Sequence, residues 1–229
     1  MTPLVLLPGM MCDGRLFGPQ IAAFGARPLH LAPLTGADTV QALAAQILAD
    51  APPRFALAGL SMGGIVAMEI MAQAPDRVTH LALLDTNSRA ELPEVQARRA
   101  PQIASVHAGG LDAVMRDEMK PNYLTDGPNR AAILDLCMDM ALALGPQVFV
   151  NQSLALRDRP DQQETLARVT VPTLILCGRQ DILCPVERHE RMHELIPQST
   201  LHVVENAGHL PTLEQPDETT AALRRWLEA

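Results

Sequence analysis

Ser61 stands in the stretch Ala58-Gly59-Leu60-Ser61-Met62-Gly63-Gly64, a single hydroxyl set between glycines in an otherwise apolar run. A serine hydroxyl at neutral pH is a weak nucleophile until an adjacent base takes its proton, and that base is typically a histidine held by a carboxylate. Of the seven histidines, His209 alone lies in a glycine-containing loop past a strand-like run, in Glu205-Asn206-Ala207-Gly208-His209-Leu210-Pro211. His30, His80 and His202 fall in or beside strand patterns, His107 in a helical stretch, and His189 and His193 on one polar helix; packing or surface roles suit all six. Two carboxylates could orient His209. Asp181 leaves the next-to-last strand-like run, and Asp85 ends the run His80–Leu84, so spacing leaves both open, with Asp181 preferred. The chain leaving its first apolar run through Pro8-Gly9 brings the Met10 backbone N–H forward. With the Met62 N–H directly after the serine, it would make an oxyanion hole, each donor of which is worth about 2.7–4 kcal/mol to an acyl-transfer transition state.

Groups so far apart in the chain need a scaffold that delivers them to one place. The short apolar runs Leu4–Leu7, Phe55–Leu60, His80–Leu84, Thr173–Cys177 and Leu201–Val204 are strand-sized and mostly apolar on both faces, which predicts a parallel sheet covered on both sides. Helical patterns lie between them. Thr39–Asp50 places Val40, Leu43, Ala44, Ile47 and Leu48 on one stripe, and Gly63–Ala74 is apolar almost all round, as a helix packed centrally on a sheet must be. Strand, helix and strand in alternation predict an α/β fold. In that context Gly-x-Ser-x-Gly is a sharp strand-to-helix turn that lifts the hydroxyl clear beside a helix N-terminus. From about residue 88 to 169 the rhythm changes to helix after helix, with Ile133, Leu136, Cys137, Met140 and Leu144 at helical spacing. The expected division is an α/β core of residues 1–87 and 169–229, with residues 88–168 inserted as a helical cap.

Composition narrows the function further. Hydrophobic residues make up 48% of the 229 and charged residues 19%, enough for a sizeable core. A net charge of −8 without a basic cluster excludes a nucleic-acid surface. Cys12, Cys137, Cys177 and Cys184 have no metal-ligand spacing and read as reduced thiols. The apolar N-terminal run is too short for a signal peptide, and no stretch has the length to span a bilayer. The expectation is a cytoplasmic protein with no membrane or nucleic-acid partner; nothing in the chain specifies an oligomeric state.

Together the segments "GLSMGG", "PDRVTHLALLDTN", "VPTLILCGRQDILCP" and "VVENAGHLPTLEQPDE" resemble, in order, the landmarks of the α/β-hydrolase superfamily over nearly the whole chain. The order Ser61, Asp181, His209 is the order of that superfamily. The resemblance implies a Ser61–His209–Asp181 triad, a cap over the active site and no metal or other cofactor. Two departures stand out: Pro8-Gly9 replaces the usual His-Gly before the oxyanion donor, and no opening hairpin precedes the first strand. The sheet is therefore expected to be mostly parallel, with about six strands flanked by helices. A serine at position 61 implies an acyl-enzyme, and a small carboxylic ester is the expected substrate. Thioesters, enol-lactones, C–C bonds of diketones, transfer to an alcohol or amine, and a receptor role remain as alternatives. For the acyl pocket, Met11, Tyr123 and Met138 are candidate substrate contacts, although Tyr123, in its Gly/Pro-rich turn, also suits the surface. Met115, Met119 and Met140 join Met138 as apolar candidates with core packing as the competing role. Arg98, Arg99 and Arg116 could attract an acidic acyl group or line a solvated helix face.

Overall fold

Every residue of Leu4–Leu7, Phe55–Leu60 and Thr173–Gly178 is buried, as strands apolar on both faces require. The computed structural model describes residues 1–229. Strands β1 (Leu4–Leu7), β2 (Leu29–Leu31), β3 (Phe55–Leu60), β4 (Val78–Leu84), β5 (Thr173–Gly178) and β6 (Thr200–Val204) form one sheet in the order β2-β1-β3-β4-β5-β6. All five pairings are parallel. The expected six-stranded α/β sheet is thus present. β2 was not among the predicted runs, although His30 lies in it, because it is a half-exposed edge strand of three residues, too short for its two leucines to make a run.

Helices α1 (Gly18–Ala23), α2 (Val40–Asp50) and α3 (Met62–Gln73) alternate with the first strands. Between β4 and β5 there are only helices: α4 (Pro93–His107), α5 (Leu111–Ala113) running into a π-helical turn at Val114–Met119, α6 (Arg130–Leu144), α7 (Pro146–Arg157) and α8 (Gln163–Leu166). α9 (Val186–Leu195), α10 (Pro211–Glu214) and α11 (Pro216–Leu227) complete the chain. Alternate strand residues feed two cores. Val5, Leu7, Leu57, Leu83 and Ile175 face α2 and α3, while Leu4, Leu6, Ala58, Leu84 and Leu176 face the layer containing Leu16, Leu223 and Trp226. α2 is capped by Thr39, whose side chain accepts the Ala42 N–H at 3.2 Å, and it buries Val40, Leu43, Ala44 and Ile47, with Leu48 at the margin. No single helix is long and apolar enough to cross a membrane.

The chain winds from β1 out to β2, returns past β1 to β3, and continues away through β4, β5 and β6. The winding therefore reverses between β1 and β3, and open α/β sheets bind ligands at the strand carboxyl ends of such a reversal. The segments after β1, β3, β4, β5 and β6 carry Met10, Ser61, Asp85, Asp181 and His209 respectively, so all five reach that one edge.

Candidate active site

The turn from β3 into α3 is tight enough to force Ser61 to φ 54°, ψ −114°, a strained conformation for a residue with a Cβ. It is also tight enough to require bare backbone on either side: a Cβ on Gly59 would overlap the Gly63 carbonyl, and one on Gly63 would overlap the Leu7 carbonyl of β1. The turn is held from behind. The Ser61 N–H donates to the Leu84 carbonyl at 2.9 Å, and the Thr86 hydroxyl donates to the Ser61 carbonyl at 2.7 Å. The Thr86 N–H in turn donates to Nε2 of His189 at 3.0 Å, while Nδ1 lies 3.2 Å from the Pro185 carbonyl. A ring that accepts at Nε2 and donates at Nδ1 is neutral, and burial pushes the His189 pKa down to about 4. His189 is thus a fully buried residue that positions Thr86 behind the serine.

On the open side, His209 Nε2 lies 2.8 Å from Ser61 Oγ and His209 Nδ1 lies 2.7 Å from Asp181 Oδ2. The other Asp181 oxygen accepts the N–H groups of Leu183 (2.8 Å) and Cys184 (3.0 Å). Burial pushes the Asp181 pKa up, but His209 and the two N–H donors outweigh it and hold the carboxylate below its usual range. An ionised Asp181 accepts a hydrogen bond from Nδ1–H, which keeps the ring proton on Nδ1 and leaves Nε2 bare toward the serine. The histidine loop is braced by Glu214. One oxygen accepts from the N–H groups on either side of His209, Gly208 at 2.9 Å and Leu210 at 3.1 Å; the other accepts from Thr125 N–H at 2.9 Å. The His209 N–H itself donates to the Tyr123 carbonyl at 2.7 Å.

Asp85 makes no contact with His209. Its Oδ1 accepts the Gly178 N–H at 2.9 Å, its other oxygen is unpaired, and its side chain is fully buried. Burial, reinforced by the Asp181 charge, raises its pKa well above its ordinary value and so favours the uncharged carboxyl at Asp85.

The loop after β1 runs against the serine: a Cβ on Gly9 would lie 3.5 Å from Ser61 Cβ. Neither the Met10 N–H nor the Met62 N–H donates to any group of the chain. The next residue, Met11, has φ 55° and donates its N–H at 2.8 Å to Oε1 of Gln152 on α7, whose Nε2 donates to the Leu34 carbonyl at 2.8 Å. Gln152 carries no motif signal in the sequence, yet it ties this loop to the helical segment.

A cavity of about 270 Å³ opens over Ser61 and His209, roofed by residues of the helical segment. Tyr123 lines it, buried rather than at the surface, with its ring centroid 6.1 Å from that of His209. The other two predicted substrate contacts do not. Met11 is fully buried in the core, because the turn that frees Met10 sends the following side chain inward; Met138 packs half-buried against the same core from α6. Met115 and Met140 are also core residues, and only Met119 of that group reaches the cavity. Arg98 and Arg99 line the cavity, whereas Arg116 is exposed and paired with Asp112 and Asp117. Arg159 and Arg188 line it as well; both sit at turns or helix starts whose orientation no local pattern discloses. One potential metal-binding group is present: ligand atoms of Asp181, Cys184 and His209 lie within 4.8 Å of one another. Two of the three already form the hydrogen-bond chain to Ser61, so a cation there would break that chain.

The model of the alpha/beta hydrolase family matches residues 4–223. Among curated proteins, the chain is 26% identical over 247 aligned positions to a pimeloyl-[acyl-carrier protein] methyl ester esterase of Aliivibrio salmonicida, covering 99% of this chain and 92% of that protein. It is 28% identical to the enzyme of the same description from Klebsiella pneumoniae, covering 93% and 88%. Among solved structures, a thermophilic esterase from Thermogutta terrifontis, with malate bound, superimposes with a TM-score of 0.90 at 29% identity, covering 100% of this chain and 90% of that one. The enol-lactonase of Burkholderia xenovorans LB400 shares the fold, with a TM-score of 0.88 at 21% identity. The chain belongs to the alpha/beta hydrolase family.

Proposed function

We propose that this protein is a serine carboxylic ester hydrolase that works through an acyl-enzyme on a small ester, with Ser61 as nucleophile, His209 as general base and acid, and Asp181 orienting His209. The observation that carries the reading is the unbroken hydrogen-bond chain Asp181 Oδ2–His209–Ser61 Oγ at the floor of the cavity. As Ser61 Oγ bonds to the ester carbonyl carbon, its proton passes to His209 Nε2, and Asp181 stabilises the imidazolium without taking a proton. The carbonyl oxygen becomes an oxyanion and accepts from the free N–H groups of Met10 and Met62, at the N-terminus of α3. His209 then gives its proton to the departing alkoxide. Water repeats the sequence on the acyl-enzyme, releasing the acid and restoring Ser61.

Residues 88–168 act as the cap of this site: Arg99, Met119, Tyr123 and Leu156 close the cavity from above the sheet edge. The curated relatives are methyl ester esterases, which supports an ester of a small alcohol as the substrate. The chemistry uses no cofactor and no nucleic-acid or membrane partner, and the cytoplasm is the proposed compartment. Turnover of p-nitrophenyl acetate and butyrate by the wild type and Ser61→Ala tests the reading. Ser61-dependent release of p-nitrophenol is expected; equal release by both proteins would place the chemistry elsewhere.

A further inference from the structure

The walls of the cavity carry a charge that ester hydrolysis alone does not call for. Four arginines, Arg98, Arg99, Arg159 and Arg188, line it against two acids, Glu91 and Glu118, in a chain whose net charge is −8. The two most buried arginines are not equivalent. Arg159 is fully engaged: its Nε donates to the Arg89 carbonyl at 2.9 Å, and both Nη atoms donate to the Glu91 carboxylate at 3.0 Å. Glu91 is thereby taken, and Arg99 receives only the remainder, 3.5 Å from one Glu91 oxygen. Its other contact is with the Met10 thioether at 3.6 Å, a weak acceptor, and its buried Nε has no partner. The Arg99 side chain is only 10% exposed, and no other group of the protein makes up the difference. A guanidinium with five donors, buried and left this poorly paired, is costly unless an anion completes it.

The position matters as much as the deficit. Arg99 lies against the thioether of Met10, whose backbone N–H is proposed above as an oxyanion donor and which follows Gly9, the residue packed against Ser61. An ester bound with its carbonyl at Ser61 therefore has Arg99 at the far side of one methionine side chain. We propose that Arg99, assisted by the field of Arg98 and Arg188, binds a carboxylate at the far end of the substrate, so that the substrate class is a carboxylate-bearing ester. This rests on the hydrolase reading above for turnover, but the binding itself does not.

Two experiments separate those dependences. First, kcat/KM is measured for monomethyl adipate, with the carboxylate on the acyl side, and 4-acetoxybutanoate, with it on the alcohol side, each against its neutral methyl ester counterpart. Preference for the charged ester in either arm is expected, and the arm identifies which half of the substrate faces Arg99. In Arg99→Met the charged-to-neutral ratio should fall about 10- to 100-fold, the range of a hydrogen bond to a buried charge. Arg99→Lys should recover part of it. A residue that only supports the fold would lower both rates together and leave the ratio unchanged. Second, adipate binding to Ser61→Ala is followed by calorimetry, where no turnover is involved. Binding that weakens with salt and is lost in Ser61→Ala/Arg99→Met supports the assignment. Absence of charge preference in both arms, or no adipate binding to the folded Ser61→Ala protein, overturns it. Failure of every ester to turn over while adipate still binds would instead remove the hydrolase reading and leave this site standing.

Discussion

Replacing Asp181 by Asn changes one atom and should nearly silence the site, for a reason the hydrogen bonds specify. Asp181 uses Oδ1 for two backbone N–H groups, Leu183 and Cys184, and Oδ2 for His209 Nδ1. In Asp181→Asn the amide oxygen must keep facing the two N–H donors, since turning the amide over would set its NH2 against both. The NH2 then points at Nδ1 and demands an acceptor there, so the ring proton moves to Nε2. Nε2–H cannot accept the Ser61 proton. The wrong-tautomer penalty measured for such an exchange in a serine protease triad is about 10⁴ in kcat, or about 5 kcal/mol of activation free energy. Asp85→Asn is the control. Burial favours the uncharged form of Asp85, one oxygen of which accepts the Gly178 N–H, and a correctly turned amide imitates that carboxyl. That variant should remain within about tenfold of wild type, because it disturbs neither Nδ1 nor the charge next to it. The assay is kcat on p-nitrophenyl butyrate, with circular dichroism to establish folding. An Asp181→Asn enzyme within tenfold of wild type, or an Asp85→Asn enzyme as damaged as Asp181→Asn, would refute the assignment of roles.

Three further outcomes follow from the surroundings of the site. Gly63→Ala should cost about 3 kcal/mol or more in urea unfolding, because its Cβ would overlap the Leu7 carbonyl of a central strand, and near-normal stability would contradict the packing of the elbow. His189 should make stability fall in mild acid. Its pKa is 6.5 unfolded and about 4 folded, so nothing is lost above pH 6.5, about 3 kcal/mol is lost as pH drops from 6.5 to 4, and no more below that. Urea midpoints at pH 7.5 and 4.5 should therefore separate less in His189→Gln than in wild type, and an unchanged separation would rule out this contribution. Gln152→Leu leaves the Met11 N–H and Leu34 carbonyl unpaired and should lower kcat more than it raises KM, by loosening the loop that presents the Met10 N–H; a pure KM effect would contradict that role.

How far the sequence could be read depended on how local the physics was. Strands β1, β3 and β5 were legible because continuous burial leaves a continuous apolar run, and β4 and β6 because enough of each is apolar to keep a run, while three-residue β2 at the edge was too short for one. The serine turn was legible because its crowding demands glycine at fixed offsets. His209 and Asp181 stood out because they follow strands in an order that one sheet edge collects, whereas Asp85 stands at the same edge and only the geometry separates it from Asp181. What escaped was set by tertiary contact. Nothing near His189 says that its ring accepts from Thr86, and nothing near Gln152 says that it braces Met11. Met11 and Met138 were plausible pocket residues by position, but the direction of a side chain after an unusual turn, or on a helix between two layers, is decided by packing. Arg99 is distinctive for the partners it lacks, which no sequence pattern records.

Whether Ser61 is an activated nucleophile is read most simply by covalent labelling with a fluorophosphonate followed by mass spectrometry. One adduct per chain is expected on the peptide carrying Ser61, absent in Ser61→Ala and formed orders of magnitude more slowly in Asp181→Asn. An adduct on another residue, or labelling indifferent to Asp181, would contradict an activated Ser61.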